Sequence, residues 1–320
     1  MSLDVDLDLE QHRVALTGYC YRMLGSAFEA EDAVQETMVR AWRNADRFEG
    51  RSSLRTWLHR IATNVCFDFL GSKQRRARPM DFGTAAVSPA HAGDMLSEDL
   101  WLQPIPTSRA VPDGDPAEVA VARDTIRLAF VAALQKLPPR QRAVLILRDV
   151  LHWHADEVAE LLDTSVASVN SAMQRAKATL GRDVEADSGA NKIDAAQQRL
   201  VDRYVDAFER YDIDELVMLL REDAVQSMPP YALWLVGRDE IRNWHLGPGK
   251  DCRGSRMLPA PEANGAPAFG QYRRSSTGSG YEPWSLQVLE IEDGEVVGLN
   301  AFLDTDRLFP LFGLPLHLAS

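Results

Sequence analysis

Three observations predict a multidomain protein in which two all-α helical domains precede an α+β domain. Apolar residues recur at helical spacing from about residue 10 to 78 and again from about 117 to 182. A proline-rich stretch at 79–116 separates the two helical blocks. From 193 onward a helical start gives way to strand-like alternation bounded by Gly and Pro.

The first block, 1–78, reads as helix nearly throughout. AFEAEDAVQETMVRAWRNA sets Val34, Met38 and Trp42 four apart on an apolar stripe, with Asp32, Gln35 and Glu36 on another face. A break at Phe48–Ser53 follows. SSLRTWLHRIATNVCFDFL then resumes the helical period through Leu54, Trp57, Leu58, Ile61, Val65 and Leu70. Ser52 or Ser53 is its expected N-cap, and Gly71 with the basic run Lys73–Arg78 marks its end. The linker 79–116 carries six prolines and one strongly apolar run, DLWLQPIP, from Asp99 to Pro106. The second block, 117–185, is interrupted at Leu137-Pro138-Pro139. A short second linker leads to the last domain, 193–320, which begins IDAAQQRLVDRYVDAFERYDIDELVMLL. That domain ends in strands, with Asp293-Gly294 as a hairpin turn signal.

Composition narrows the function classes. The chain has 320 residues, 45% of them apolar, enough for several cores. It holds no apolar run long enough to span a membrane, and its acidic start, MSLDVDLDLEQH, lacks the pattern of a secretion signal. Cys20, Cys66 and Cys252 are scattered, so reduced cysteines in a cytosolic protein are expected, with no metal and no cofactor. The net charge of −12 is uneven: +1 over 1–80, −6 over 81–119, zero over 120–190 and −7 over 191–320. A chain so charged binds free DNA poorly, because phosphate neutralisation supplies most non-specific affinity.

The sharpest local signal is ADEVAELLDTSVASVNSAMQRAKATL. A short helix with Val158 and Leu162, a turn at Asp163-Thr164-Ser165 and a longer helix with Val166, Val169, Met173 and Leu180 inward make a helix-turn-helix pattern. Ala159 is small where the helices cross, and Thr164 or Ser165 can cap the second one. The outward face offers Asn170, Ser171, Gln174 and Arg175. Asn, Gln and Arg suit base edges, while Ser and the nearby Lys177 suit phosphates.

The two helical blocks together resemble the extracytoplasmic-function sigma factors of bacterial RNA polymerase. Residues 10–78 look like sigma region 2, on AEDAVQETMVRAW, RFEGRSSLRTWLHRIATNVCFDFL and SKQRRAR. Residues 120–182 look like region 4, on LQKLPPRQRAVLILRDVLHWHADEVAELLDTSVASVNSAMQRAKATL. The resemblance implies core RNA polymerase and promoter DNA as partners, and a binding protein rather than an enzyme. It places Asp32, Gln35 and Glu36 on the polymerase-docking helix. Arg51, Ser53, Arg60, Asn64, Lys73, Arg75 and Arg76 fall to the −10 element, where an extruded base needs a pocket with a polar rim. Asn170, Ser171, Gln174 and Arg175 fall to the −35 element, where the family often carries more arginine.

The last domain resembles the SnoaL-like fold, a cone of curved sheet and helices around a pocket, on LVDRYVDAFERYD, DIDELVMLLREDAV and GRDEIRNW. In the sigma factors that carry such a domain, MPPYALWLVGRDEI marks one subgroup, and the implied role is control of the sigma regions in cis. Tyr231, Trp234, Trp244 and Trp284 are the expected pocket residues for a small-molecule ligand. His245, Asp251, Asp304 and Asp306 are ionisable, but no catalytic spacing links them. Two other readings stand beside the sigma assignment: a stand-alone ligand-sensing helix-turn-helix transcription factor, and a tethered SnoaL-like enzyme. DLWLQPIP, pre-extended by Pro104 and Pro106, has two candidate partners, the polymerase near its RNA path and the C-terminal domain; in the free protein it is expected to act as an interdomain latch, with Trp101 and Ile105 clamped by aromatics of the C-terminal domain.

Overall fold

The computed structural model describes residues 9–48, 50, 52–71, 76–181, 195–276 and 278–319. The chain divides into two compact units, one formed by 1–76 with 102–190 and the other by 77–101 with 191–320. The stretch read as a single linker is therefore split, between Trp101 and Leu102.

In the helical unit, α1 (Arg13–Leu24), α2 (Ala27–Arg43) and α3 (Leu54–Leu70) pack against one another. Gly25, with φ 72°, ends α1 in the left-handed conformation that glycine adopts without a Cβ penalty. The Ser26 hydroxyl then caps α2 by accepting from the Glu29 amide at 3.2 Å. Ser53 caps α3, accepting from the Thr56 amide at 3.1 Å. The face of α2 that is buried carries Ala30, Ala33, Val34, Thr37 and Ala41. The expected stripe is thus corrected: Val34 is buried, but Trp42 is 57% exposed, because small residues one position over let α2 approach its neighbours closely.

The same unit continues with α4 (Thr107–Ala110), α5 (Pro116–Asp124), α6 (Leu128–Gln135), α7 (Pro139–Leu145), α8 (Ala155–Leu161) and α9 (Val166–Leu180). Asp115 caps α5 and Pro139 starts α7 at a position where its missing N–H costs nothing. Ser165 caps α9, accepting from the Ser168 amide at 3.2 Å. Val158, Leu161, Val169, Ala176 and Leu180 are buried between α8 and α9 and their neighbours. Val166 was expected inward but is 42% exposed, since the inward positions of α9 run through Val169, Ala172 and Ala176.

The C-terminal unit opens with α10 (Ala195–Arg210) and α11 (Ile213–Met218). It then forms a six-stranded sheet from β1 (Leu220–Ser227), β2 (Trp234–Val236), β3 (Arg256–Ala263), β4 (Ala266–Arg274), β5 (Tyr281–Glu292) and β6 (Glu295–Phe302). Its strand order is β2-β1-β6-β5-β4-β3, parallel between β1 and β6 and antiparallel elsewhere. Asp293 (φ 47°) and Gly294 (φ 80°) make the two-residue turn joining β5 to β6, with Glu292 opposite Glu295. Helix α12 (Arg238–Leu246) packs on β1 and α11, and α13 (Thr305–Leu311) packs on β5. Tyr204, Phe208, Leu216, Ile241, Trp244, Leu289 and Leu299 belong to the core of this unit.

Candidate nucleic-acid interface and C-terminal cavity

On α2, Asp32 and Gln35 are exposed, and Glu36 is half-buried with an ion pair to Arg40 at 2.7 Å. The exposed Trp42 extends this helix's free surface by an aromatic side chain, the type most often found at the centre of protein interfaces. On α3, Arg60 and Asn64 are both exposed and one helical turn apart, so one groove-sized surface can meet both. Ser53 is exposed but its hydroxyl serves the helix cap. Phe48 and Trp57 pair with ring centroids 5.1 Å apart beside that cap. Arg51, Lys73 and Arg75 lie outside the described residues.

Arg76 requires a correction. It is 5% exposed, and its Nη2 donates to Glu29 Oε1 at 2.8 Å. Burial with a carboxylate partner takes its charge away from phosphates, so it holds the bundle together rather than facing a promoter. Arg78, the last of the basic run, belongs to the C-terminal unit and lies 3.7 Å from Glu290.

On α9, Asn170, Ser171, Gln174 and Arg175 are all exposed. Lys177 is drawn to Asp149 at 3.0 Å, which leaves Arg175 as the cation of this face that no described acid engages. A face with a single such cation offers little neutralisation to a phosphate backbone.

The helical unit also shows what sequence reading missed: its two blocks are joined by buried polar groups. Arg22 on α1 donates to the carbonyls of Ala122 (3.0 Å) and Thr125 (3.2 Å) and to the Thr125 hydroxyl (2.9 Å). Burial lowers its pKa to about 10. Arg142 on α7 donates to the Met23 carbonyl, to Gln135 Oε1 at 2.6 Å, and to the carbonyls of Leu134, Gln135 and Leu137. Gln135 donates in turn to the Arg22 carbonyl at 3.2 Å. In the middle of α1, Gly18 lets the chain approach so closely that a Cβ would stand 2.2 Å from the Ala110 carbonyl oxygen. The His59 ring packs 5.1 Å from that of Trp153, with the Arg55 guanidinium 5.4 Å from the same indole. No local sequence signal marks Arg22 and Arg142: Arg142 follows Arg140 and Gln141, as in a surface run.

DLWLQPIP itself is divided between the units. Trp101 is buried with its ring 5.1 Å from Phe82, and its backbone bridges Ala77 in parallel. Ile105 is equally buried but belongs to the helical unit. There the Gln103 amide donates to the Gly25 carbonyl at 3.0 Å, the Tyr21 hydroxyl donates to the Gln103 carbonyl at 2.8 Å, and Ser26 donates to the Gln103 side chain. Phe82 of the linker meets Trp101, and the α1–α2 corner fixes the strand leading to Ile105.

Within the C-terminal unit, linker residues run along the sheet end. The Ala86 amide donates to the Trp234 carbonyl (2.9 Å), the Leu96 amide to the Pro230 carbonyl (3.0 Å) and the Ser88 amide to Glu240 (2.5 Å). The Trp234 indole donates to the Gly83 carbonyl at 3.0 Å. A cavity of about 300 Å³ opens beside this strap. Tyr231, Trp244 and Trp284 line it, and so do His245 and Asp251. Trp234 does not, because its indole is committed to the linker; Asp304 and Asp306 also lie outside the lining. Arg273, Gln226, Gln271 and Gln287 line the cavity without having been singled out beforehand. Their signal was polar residues at strand positions surrounded by apolar ones. Among the described residues no cluster of His, Cys, Asp or Glu could hold a metal ion, and no helix is long and apolar enough to cross a membrane.

Comparisons with known proteins agree with this division. Residues 9–76 match the family model of sigma-70 region 2, 127–180 that of sigma-70 region 4, and 201–299 that of the SnoaL-like domain. Over 319 residues the chain is 44% identical to the ECF RNA polymerase sigma factor SigG of Mycobacterium tuberculosis strain H37Rv, covering 98% of this chain and 84% of that protein. It is 32% identical to the ECF RNA polymerase sigma factor SigW of Bacillus subtilis over 161 residues, 50% of this chain and 78% of the other. The crystal structure of the extracytoplasmic function sigma factor SigJ of Mycobacterium tuberculosis shares the fold, with a TM-score of 0.57 at 24% identity over 98% of this chain and 99% of that one.

Proposed function

Since the chain belongs to the ECF RNA polymerase sigma factors and is an alternative sigma factor with a SnoaL-like domain, we propose how its surfaces divide the work and how the C-terminal unit controls them. Asp32, Gln35, Glu36 and Trp42 on α2 meet core polymerase. Arg60 and Asn64 on α3 read the −10 element, aided by Ser53, Arg51, Lys73 and Arg75. Asn170, Ser171, Gln174 and Arg175 on α9 meet the −35 element. Promoter opening follows from capture of unstacked bases, and the polymerase supplies the chemistry.

Control in cis rests on one observation. The segment connecting α3 to α5 passes through the C-terminal unit, where its residues 77–101 are held by Trp234, Pro230 and Glu240. Region 2 and region 4 meet through buried Arg22 and Arg142, and they must part to span −10 and −35 elements on polymerase. While the linker stays on the C-terminal unit, the chain between the two regions is short of slack. Release of the linker frees it, and a small molecule in the cavity would set how firmly it is held.

The test is transcription reconstituted with core polymerase, comparing the full-length protein, a truncation at about 185, and Glu240→Ala with Trp234→Ala. The truncation and the linker-releasing variant should both alter initiation relative to the full-length protein. If no form directs initiation, the assignment of surfaces fails. Identical activity of all forms would refute control in cis.

A further inference from the structure

The cavity of the C-terminal unit adjoins a chamber of about 20 Å³, and the two share Phe208, Gln226, His245, Gln287 and Ala301 as walls. The chamber adds Tyr204 and Asn300. A space of that size takes one water or one hydroxyl group.

Two of its buried side chains have atoms without a partner among the described residues. His245, 6% exposed, places Nε2 at 3.2 Å from Gln226 Oε1. That oxygen only accepts, so Nε2 bears the hydrogen and Nδ1 presents a lone pair, which nothing meets. Asn300, 3% exposed, accepts from Ser227 through Oδ1 at 2.8 Å, while its Nδ2 donors meet nothing. Neighbouring polar groups bond to one another: Tyr204 donates to Gln287 at 2.9 Å, and Gln287 and Ser285 donate to Gln271. One free acceptor and one free donor in one chamber are the complement of a hydroxyl, which gives one hydrogen and receives another. Leaving both unmet is unfavourable, so an occupant is favoured.

The wide part of the cavity has a different chemistry. The Arg273 guanidinium lies 3.3 Å from the centroid of the Trp284 ring, its Nη2 meets Cys252 Sγ at 2.9 Å, and its Nε has no partner among the described residues. Arg273 forms no ion pair with the described residues, so an anion can reach it. Asp251 also lines the cavity and opposes a second negative charge. Trp244, Trp284 and Tyr231 give flat apolar walls that suit a ring. Ala90, His91 and Ala92, from the linker strap, complete the lining.

We propose that this cavity binds a planar hydroxyaromatic monocarboxylate of one or two rings. Its hydroxyl lies between His245 Nδ1 and Asn300 Nδ2, its carboxylate lies on Arg273, and the Ala90–Ala92 strap covers it. The regulatory consequence rests on the reading of the linker given above, whereas the binding site stands apart from it.

Calorimetry on the full-length protein tests the site. The probes are 4-hydroxybenzoate, 4-hydroxycinnamate and 6-hydroxy-2-naphthoate, each beside its dehydroxylated acid and its hydroxylated amide. At least one hydroxy acid should bind about tenfold more tightly than both counterparts, the value of one buried hydrogen bond. Arg273→Gln should then erase the difference between acid and amide but keep that between hydroxylated and dehydroxylated acid. Bound ligand should also slow proteolysis within residues 83–96. Equal binding with and without the hydroxyl refutes the chamber assignment, and equal binding of acid and amide refutes the role of Arg273. Failure of every hydroxy acid to bind at about 1 mM refutes the ligand class. These outcomes are independent of the transcription comparison, so the two readings fail separately.

Discussion

Arg22→Met should loosen the contact between region 2 and region 4 while leaving each region folded. All the acceptors given above for this guanidinium lie across that contact, in Ala122 and Thr125. Four charge-assisted bonds of 2.9–3.2 Å reach three acceptors and set a gross loss of about 5 kcal/mol, taking the low end of about 1.5 kcal/mol per acceptor. Burial works against this. It lowers the Arg22 pKa from 12.5 to about 10, which corresponds to roughly 3 kcal/mol of unfavourable charge burial that the methionine relieves. The difference, about 2 kcal/mol, favours opening by roughly thirtyfold. Spin labels at the exposed positions Arg43 and Thr179 would report it as a longer distance population in double electron–electron resonance. Thr125→Val removes the same hydroxyl from the other side and should be strongly non-additive with Arg22→Met. Distances unchanged in Arg22→Met, with its thermal transition intact, would show that these bonds do not hold the regions together. A collapse of helicity would instead place the residue's role inside region 2.

Three further outcomes are expected. Gly18→Ala should part α1 from α4, because the new Cβ meets the Ala110 backbone oxygen, which cannot swing away; wild-type protection of the 102–110 amides in hydrogen exchange would refute this. Trp42→Ala should weaken core polymerase binding about tenfold or more, as loss of an interface aromatic does, with no fall in melting temperature because the side chain is 57% exposed; unaltered affinity would remove Trp42 from the docking face. His59 is buried, and desolvation holds its pKa near 4 against 6.5 for a free histidine. The unfolded chain therefore takes up a proton that the folded chain refuses. Stability is complete above about pH 6.5 and falls as the pH drops toward 4, by on the order of 3 kcal/mol. Buried His245, whose pKa desolvation also lowers to about 4, adds a similar decline, so denaturant titrations should show both and His59→Phe should remove about half of it.

Local signals in the sequence carried much of the architecture. Ser53 and Ser165 were legible as helix caps because a side-chain oxygen satisfies an amide within three residues. Asp293-Gly294 was legible as a hairpin because only a few residues accept that turn's dihedrals. The exposed face of α9 followed from helical period, and with it Asn170 and Gln174, whereas Arg60 and Asn64 on α3 were reached only through the resemblance to sigma region 2. The stripe through Trp42 was misread because small residues on the neighbouring positions packed more closely than large ones, a matter of which surface meets a partner helix.

Contacts between distant segments were not legible in that way. Arg76 looked like a cation for phosphates, and only the fold brings Glu29 to it across 47 residues. Nothing local distinguishes Arg22 and Arg142 from surface arginines, since their acceptors are largely backbone carbonyls, which every sequence possesses. DLWLQPIP announced that it must be buried, as any run of Leu, Trp and Ile does, but not where. The three-dimensional structure divides it at Trp101, giving one part to the C-terminal unit and the other to the α1–α2 corner. The sequence by itself determined the helices, turns and exposed faces, because those follow from short-range sterics and periodicity. Tertiary structure alone decided which buried polar groups find partners and which, like His245 and Asn300, are left facing a cavity.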